Sequence, residues 1–232
     1  MTPSSPASPL PSIAERVAGV RARIDAACHA AGRDPAAVTL TAVSKTQPDE
    51  AIDAILATGQ RVFGENRVQE AQARWTERLS GLDGLELRLI GPLQTNKAED
   101  AVVLFDVIET LDREKLARAL AEAAQKRGRS PRVLVQVNTG AEPQKAGVLP
   151  EAAAALIDTA RRTYGLTVEG LMCIPPADQE AEPHFALLRD MAERNGLSVL
   201  SMGMSGDYET AIRCGATHVR VGTALFGERN RP

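Results

Sequence analysis

Short apolar runs alternate along the chain with longer segments in which apolar residues recur every three or four positions. The short runs are rich in Val, Ile and Leu, a pattern typical of strands buried on both faces. This pattern predicts eight strands, at residues 38–45, 61–66, 85–91, 106–111, 132–138, 166–174, 197–205 and 218–227. The longer segments between the runs have helical periodicity and predict a helix after each of the first seven strands.

The helix before the first strand has the clearest boundaries. Ser12 begins it, because Glu15 lies three residues later and completes a capping box, and Gly32 ends it. Helices after the first and third strands also carry polar cap signals, namely Thr46, Asp49, Asn96 and Glu99.

Eight strands and eight helices in strict alternation predict a parallel sheet, because parallel strands need crossover helices. Eight such units in about 200–250 residues favour a closed (β/α)8 barrel of the α/β class. The alternative is an open doubly wound sheet, which favours a glycine-rich fingerprint after its first strand, and AVSKTQP has none. Residues 1–11 are rich in Pro and Ser and predict a disordered tail, so we expect one barrel domain over residues 12–232 with an extra N-terminal helix.

Composition excludes several other classes of protein. The chain has 232 residues, 44% of them hydrophobic, and its formal net charge of −3 gives no electrostatic reason to expect nucleic acid. Nothing resembles a membrane span or a secretory signal. The odd number of scattered cysteines, Cys28, Cys173 and Cys214, indicates reduced thiols and argues against a metal site. We expect a cytoplasmic protein, and a monomer, because no extra domain announces an interface.

The last two strands end in residues that suit an anion. Gly203, Ser205 and Gly206 follow the seventh strand, and Gly222 and Thr223 lie near the end of the eighth. Glycine lets backbone N–H groups approach an anion, and hydroxyls add further donors. In barrels of this kind a phosphate is often held by these two loops. The residues therefore predict a phosphate cradle, with two ordinary tight turns as the alternative.

Lys45 follows the apolar run VTLTAV directly, so its amine should point into the barrel mouth. Partial burial and nearby cations make such an amine nucleophilic, and it can form a Schiff base with an aldehyde. A solvated surface lysine is the alternative. With the cradle opposite and Arg220 between them, the residues fit pyridoxal 5'-phosphate, with Lys45 at its aldehyde and Arg220 at its ring nitrogen.

Six motifs together resemble the pyridoxal phosphate homeostasis protein family. In chain order they are AVSKTQP, FGENRVQEA, LIGPLQTNK, GLMCIPP, LSMGMSGDYETAI and VRVGTALFG. The resemblance implies a single (β/α)8 barrel similar to the N-terminal domain of alanine racemase. It also implies a protein that binds the cofactor through Lys45 as an aldimine and delivers it to apo-enzymes, without established turnover, to maintain intracellular homeostasis of the cofactor.

The resemblance further implies roles for individual residues. Asn66 would lie near the cofactor, and Arg220 would face its ring nitrogen. The phosphate would be held by Ser205, Gly222 and Thr223, and our reading of the strand ends adds Gly203 to this group.

One residue departs from the family pattern: Arg67 stands where the family's FGENYVQE has a tyrosine. We prefer an interpretation in which Arg67 contacts the site region, as another anion ligand; the alternative is an outward-turned residue of the first helical turn. Lys97 and Lys145 are interpreted as solvated loop lysines, with cofactor contacts or a docking point for transfer as the alternative.

The competing hypothesis is an enzyme, either an amino-acid racemase or another catalyst that works through the aldimine. A two-base racemase needs an acid/base group on each face of the reacting carbon. By resemblance, alanine racemase takes a tyrosine from a separate β-domain, and we expect no such domain because the chain ends five residues after Gly227. Tyr164 precedes the sixth strand, at the wrong end of the barrel, and Tyr208 is expected to pack or cap a helix. We therefore expect a carrier rather than an enzyme.

Overall fold

The computed structural model describes residues 11–227, in which eight parallel strands close into a barrel in sequence order. The strands are β1 (Thr39–Val43), β2 (Val62–Glu65), β3 (Glu86–Leu89), β4 (Val107–Leu111), β5 (Arg132–Val137), β6 (Val168–Cys173), β7 (Val199–Ser201) and β8 (His218–Val221). β8 pairs with β1, with Thr39 opposite His218 and Ala42 opposite Val221, and this pairing closes the barrel. The predicted (β/α)8 barrel is confirmed.

A helix follows every strand on the outside of the barrel. The helices of the described residues are α1 (Ile13–Ala30), α2 (Asp49–Ala57), α3 (Val68–Gly81), α4 (Ala98–Leu104), α5 (Glu114–Arg127), α6 (Pro150–Asp158), α7 (Ala181–Arg194), α8 (Tyr208–Arg213) and α9 (Thr223–Phe226). α1 is the predicted extra helix and packs against α2, α8 and α9. A π-helical turn, Thr159–Thr163, continues α6.

Most of the buried apolar residues belong to two clusters. The larger one lies between the strands and the surrounding helices, and the smaller one, formed by Val107, Leu134 and Met172, belongs to β4, β5 and β6. A set of charged residues, Arg88, Glu109 and Arg220, is also buried and comes from β3, β4 and β8. The barrel therefore encloses an ionic layer as well as an apolar one.

The eighth strand is shorter than predicted. It ends at Val221, and the residues after it form the single turn of α9 rather than more strand. Gly222 is the cause, because its backbone leaves the extended region (φ −118°, ψ −78°) and its carbonyl accepts the N–H groups of Leu225 and Phe226. Gly222 and Thr223 thus lie at a strand-to-helix junction, where backbone N–H groups are exposed to a ligand.

The capping predictions have mixed outcomes. The capping box of Ser12 and Glu15 is confirmed. The cap signals of the two later helices were wrong, because α2 begins after Pro48 and α4 after Lys97, neither with a side-chain cap. Thr46 lies in a turn before α2, and Asn96 lies in a short 3₁₀ turn before α4. Thr46 and Asn96 therefore mark turns that precede the helices, whereas Asp49 and Glu99 lie in the first turns of α2 and α4.

Some predictions concern residues that the structure does not describe. The predicted disordered tail, residues 1–11, lies almost wholly outside residues 11–227, so its disorder stays a prediction, as does the assignment of residues 12–232 to one domain. In the described part of the chain, every helix is too short or too polar to cross a bilayer. The three cysteines are buried and unpaired by disulfides.

Candidate functional site

A cavity of about 590 Å³ opens where the carboxyl ends of the strands meet. Its size is that of a small-molecule site. Six of the seven residues that the sequence predicts for cofactor binding line it, namely Lys45, Asn66, Ser205, Arg220, Gly222 and Thr223. The seventh, Gly203, does not line it. The fold therefore brings together residues that are up to 178 positions apart in the sequence, from Lys45 to Thr223.

Lys45 lies in a tight turn that follows β1. The Gln47 N–H donates to the Ser44 carbonyl at 3.1 Å, which makes Lys45 and Thr46 the two central residues. Thr46 has a φ of 61°, a left-handed conformation that β-branched residues rarely adopt. The turn directs the chain away from the strand end and places Lys45 on the cavity wall beside Val43.

The ends of β7 and β8 meet at Ser205. Its hydroxyl oxygen accepts the N–H groups of Gly222, at 3.3 Å, and Ala224, at 3.4 Å. Gly206, which the sequence analysis also places at the end of the seventh strand, lines the cavity next to it. A hydroxyl and converging backbone N–H groups suit the oxygens of a phosphate. The phosphate cradle itself stays a prediction.

Arg220 is buried and its guanidinium is fixed by neighbouring strands. Its Nη1 donates to Ser201 Oγ at 2.7 Å, and its Nη2 donates to the Cys173 carbonyl at 2.8 Å. Glu109 Oε2 lies 4.0 Å from the same Nη1. The side chain is thus a rigid donor at the floor of the cavity. Burial raises the pKa of the Cys173 thiol to about 12, so that thiol is not a nucleophile here.

Glu109 is the central acid of the ionic layer. Its Oε1 accepts from Arg88 Nε at 2.5 Å, and its Oε2 accepts from Ser201 Oγ at 2.5 Å. Burial alone would raise the pKa of this carboxyl, but the guanidinium groups of Arg88 and Arg220 hold it below its usual range. Glu109 therefore stays ionised and balances the two buried arginines.

Two further residues that line the cavity, Gln136 and Gly91, were not predicted as site residues. Gln136 lines the cavity, and its Oε1 is buried without a hydrogen-bond partner among the described residues. Its signal in the sequence is a single polar residue inside the apolar run RVLVQV. Gly91 lines the cavity where β3 ends, and a Cβ there would lie 2.3 Å from the Asn66 carbonyl oxygen. Glycine at this position lets the ends of β2 and β3 approach closely.

Gly203 supports the site from outside its lining. Its φ is +91°, and its carbonyl accepts the Arg220 N–H at 2.9 Å. A Cβ on Gly203 would lie 2.5 Å from the Cβ of Ala211 and 2.9 Å from the Cα of Tyr208. This glycine therefore allows α8 to pack closely against the end of β7, and its structural position is that of a packing residue.

Arg67 turns outward, contrary to the interpretation that we prefer from the sequence. Its side chain is 78% exposed and pairs with Glu70 at 3.0 Å. It lines a neighbouring cavity of about 490 Å³ together with Lys97. Residue 67 is the N-cap of α3, and its extended backbone carries the side chain away from the barrel axis.

Lys145 has 33% of its side chain exposed, the same fraction as Lys97. It lines the main cavity, and its Nζ lies 2.6 Å from Glu142 Oε2 and 3.5 Å from the Pro175 carbonyl. Lys97 pairs with Asp100 at 3.6 Å in the neighbouring cavity. Only one of the two loop lysines therefore faces the predicted cofactor site.

The two tyrosines lie away from the cavity. Tyr208 is buried in α8, with the guanidinium of Arg23 5.3 Å from its ring centre, as expected for a packing residue. The Tyr164 hydroxyl donates to Glu114 on α5 at 3.0 Å. Among residues 11–227, neither tyrosine reaches the cavity lining.

The sequence matches the family described as "Alanine racemase, N-terminal domain" over residues 19–230. The Pyridoxal phosphate homeostasis protein of Pseudomonas aeruginosa is 46% identical over 94% of this chain and 96% of its own length. The protein of the same name from Aquifex aeolicus is 42% identical over 93% of this chain and 97% of its own length.

The chain is also similar to proteins of known structure. PipY of Synechococcus elongatus, in a structure with pyridoxal phosphate bound, is 38% identical, has a TM-score of 0.79, and is matched over 93% of this chain and 100% of its own. An alanine racemase of Clostridium difficile shares the fold, with a TM-score of 0.69 at 16% identity. That match covers 94% of this chain and 58% of the racemase.

Proposed function

The chain belongs to the pyridoxal phosphate homeostasis protein family, and from that premise we propose that it binds pyridoxal 5'-phosphate in the cavity at the carboxyl ends of its strands. In this proposal Lys45 holds the cofactor as a Schiff base. The protein would keep the cofactor in reserve and pass it to apo-enzymes, and so contribute to its homeostasis.

The observation that carries the proposal is that one cavity contains three kinds of chemical group. Lys45 supplies an amine, the junction of Ser205 and Gly222 supplies hydroxyl and N–H donors, and Arg220 supplies a fixed cation. These groups match an aldehyde, a phosphate and a pyridine nitrogen. The buried Gln136 Oε1, which has no partner among the described residues, adds an acceptor for a polar substituent of the ring.

The residues of the site would have distinct tasks. When bound, pyridoxal 5'-phosphate supplies an aldehyde that can pass reversibly from one amine to another. Arg220 would donate a hydrogen bond to the ring nitrogen and, as a permanent cation, keep a proton off it. Ser201 and the Cys173 carbonyl would hold the guanidinium in place for that contact. Ser205 and the N–H groups of the β8–α9 junction would bind the phosphate.

An absorbance titration tests binding through Lys45. Wild-type protein should develop the band of a lysine Schiff base as pyridoxal 5'-phosphate is added, and Lys45→Ala should not. The matched control is Lys145→Ala, which removes the other lysine of the same cavity and should keep the band. A band that survives in Lys45→Ala and disappears in Lys145→Ala would transfer the role to Lys145.

The competing function is that of an amino-acid racemase, which the shared fold with alanine racemase brings into consideration. An arginine at the ring nitrogen weakens the ring as an electron sink, and neither tyrosine of the described residues lines the cavity. Both features favour a carrier. The deciding measurement is solvent deuterium exchange at Cα of alanine, run beside transfer of cofactor to an apo-enzyme. Transfer without exchange supports the carrier, and exchange at about 1 s⁻¹ or faster supports the racemase.

Location and assembly remain predictions. A reserve of cofactor for intracellular enzymes belongs in the cytoplasm, and the three buried free thiols are compatible with a reducing compartment. Size-exclusion chromatography with light scattering would test the predicted monomer.

A further inference from the structure

The turn that carries Lys45 is held by contacts from residues outside the cavity. Its two ends are Ser44 and Gln47, joined by one backbone hydrogen bond of 3.1 Å. Between them, Thr46 is held at a positive φ, which is costly for a β-branched residue. Such a conformation persists only where the surroundings hold it, so the contacts of the turn matter.

Arg74 of α3 provides the first of these contacts. Its Nη1 donates to the Ser44 carbonyl at 3.3 Å, and its Nη2 donates to the Gln47 carbonyl at 3.1 Å. One planar guanidinium therefore spans both ends of the turn. A lysine amine on a flexible stem lacks this rigid fork.

Glu65 of β2 contacts both the turn and Arg74. Its Oε1 lies 2.9 Å from Arg74 Nη1 and also accepts from Ser44 Oγ at 2.7 Å and Trp75 Nε1 at 3.0 Å. The Glu65 side chain is 0% exposed and that of Arg74 is 16% exposed. Buried ion pairs are weak sources of net stability, because desolvation offsets their attraction. The location of this pair, against the turn of Lys45, points to another role.

We propose that Glu65 and Arg74 are positioning residues that set the place of the Lys45 amine. Neither lines the cavity; they act through the backbone on both sides of Lys45. A displacement of about 1 Å in a reacting group can slow a reaction about a hundredfold. The inference deepens the proposed function and rests on it, because it takes Lys45 as the residue that bonds the cofactor.

The test uses Arg74→Lys, which keeps the positive charge but cannot span two carbonyls in fixed geometry. The matched control is Arg129→Lys. Arg129 pairs with Asp106 at 2.8 Å and also donates to three backbone carbonyls, those of Val102, of Val103 at 3.0 Å and of Phe105 at 2.8 Å. It lies before β5, at the opposite end of the barrel from the cavity, so this variant loses similar contacts without touching the Lys45 turn.

The first readout compares two ligands. Pyridoxal 5'-phosphate can bond to Lys45, whereas pyridoxine 5'-phosphate has an alcohol in place of the aldehyde and cannot. We expect Arg74→Lys to bind the aldehyde about tenfold more weakly, the effect of a lost charged hydrogen bond, and the alcohol as wild type does. Arg129→Lys should leave both affinities unchanged. Equal losses for both ligands in Arg74→Lys would reveal a general distortion and overturn the proposal.

The second readout needs no cofactor. An amine-reactive reagent should modify Lys45 more slowly in Arg74→Lys than in wild type, and at an unchanged rate in Arg129→Lys. Peptide mass spectrometry identifies Lys45 as the modified residue and follows the rate. This rate separates the positioning role from the proposed function. If wild type bound both ligands equally, the proposed function would be contradicted, but the modification rate would still test whether Glu65 and Arg74 position Lys45. If Arg74→Lys does not fold, Glu65→Gln replaces it: its amide oxygen still accepts from Ser44 and Trp75, but the ion pair is lost. A wild-type rate and wild-type affinities in the variant that folds would overturn the proposal.

Discussion

At the scale of single residues, the predicted phosphate site depends more on backbone donors than on side chains. Ser205 Oγ occupies the point on which the N–H groups of Gly222 and Ala224 converge. Removal of the hydroxyl leaves both N–H groups in place for an anion. A side chain at position 222 would add bulk beside these N–H groups. Its Cβ alone would make ordinary van der Waals contact with Val43, at 3.5 Å from the Cβ and 3.6 Å from the carbonyl oxygen.

We therefore expect Ser205→Ala to weaken cofactor binding by only about 1–3 kcal/mol. Gly222→Val should weaken it more, because the branched side chain crowds Val43 and blocks access to the backbone. Isothermal titration with pyridoxal 5'-phosphate measures both effects, and pyridoxal without the phosphate is the control ligand. Equal affinities of the wild-type protein for the two ligands would rule out the cradle.

We expect the stability of the protein to depend on pH through His218. Burial, together with the nearby guanidinium of Arg88, lowers the pKa of its imidazole from 6.5 to about 4. Between those two values the unfolded chain binds a proton that the folded chain does not, so stability falls as the pH falls through this window.

We expect this one group to remove about 2 kcal/mol of stability between pH 7 and pH 5. His218→Gln, which cannot titrate, should lose that share of the pH dependence. Urea unfolding of both proteins at the two pH values is the measurement. An unchanged difference between pH 7 and pH 5 in His218→Gln would contradict the assignment.

At the scale of elements, the barrel strands are tied together by charges as well as by apolar packing. Glu109 of β4 contacts Arg88 of β3 and Ser201 of β7, and Ser201 accepts from Arg220 of β8. Arg220 also donates to the Cys173 carbonyl of β6, so the cation at the cavity floor is connected, directly or through Ser201 and Glu109, to four other strands. Removal of the one acid would leave two buried guanidinium groups under-compensated.

Glu109→Gln should therefore destabilise the fold by about 3–5 kcal/mol, the range for one lost partner of a buried pair. The matched control is Glu99→Gln, which removes an acid from the more exposed pairs with Lys126 and Arg127 and should have little effect. Denaturant unfolding at neutral pH compares the two variants. Similar midpoints would mean that the ionic layer adds little to the fold.

The order of strands and helices was predictable because apolar periodicity is a local property of the chain. Strand ends were not, because apolar residues continue past the last strand pairing into the loops that line the cavity, as Met204 does after β7. Lys45 and Ser205 were predictable from short motifs. Glu65 and Arg74 were not, since their contacts with the Lys45 turn exist only after α3 has packed on the barrel.

At the scale of the whole molecule, the chain closes a barrel by pairing β8 with β1, and this closure brings the first and last strand ends to one cavity. Lys45, after the first strand, and the predicted phosphate cradle, after the last two, are neighbours only for this reason. An open sheet would separate them. The proposed function therefore depends on the closed topology as well as on the residues themselves.

The most direct measurement is borohydride reduction of the protein in complex with pyridoxal 5'-phosphate, followed by peptide mass spectrometry. Reduction turns the bond between lysine and cofactor into a stable one and so records which amine carried it. We predict a single modified peptide with the added mass on Lys45, and no adduct in Lys45→Ala. Full modification of another lysine, such as Lys145 in the same cavity, with Lys45 unmodified would contradict the account.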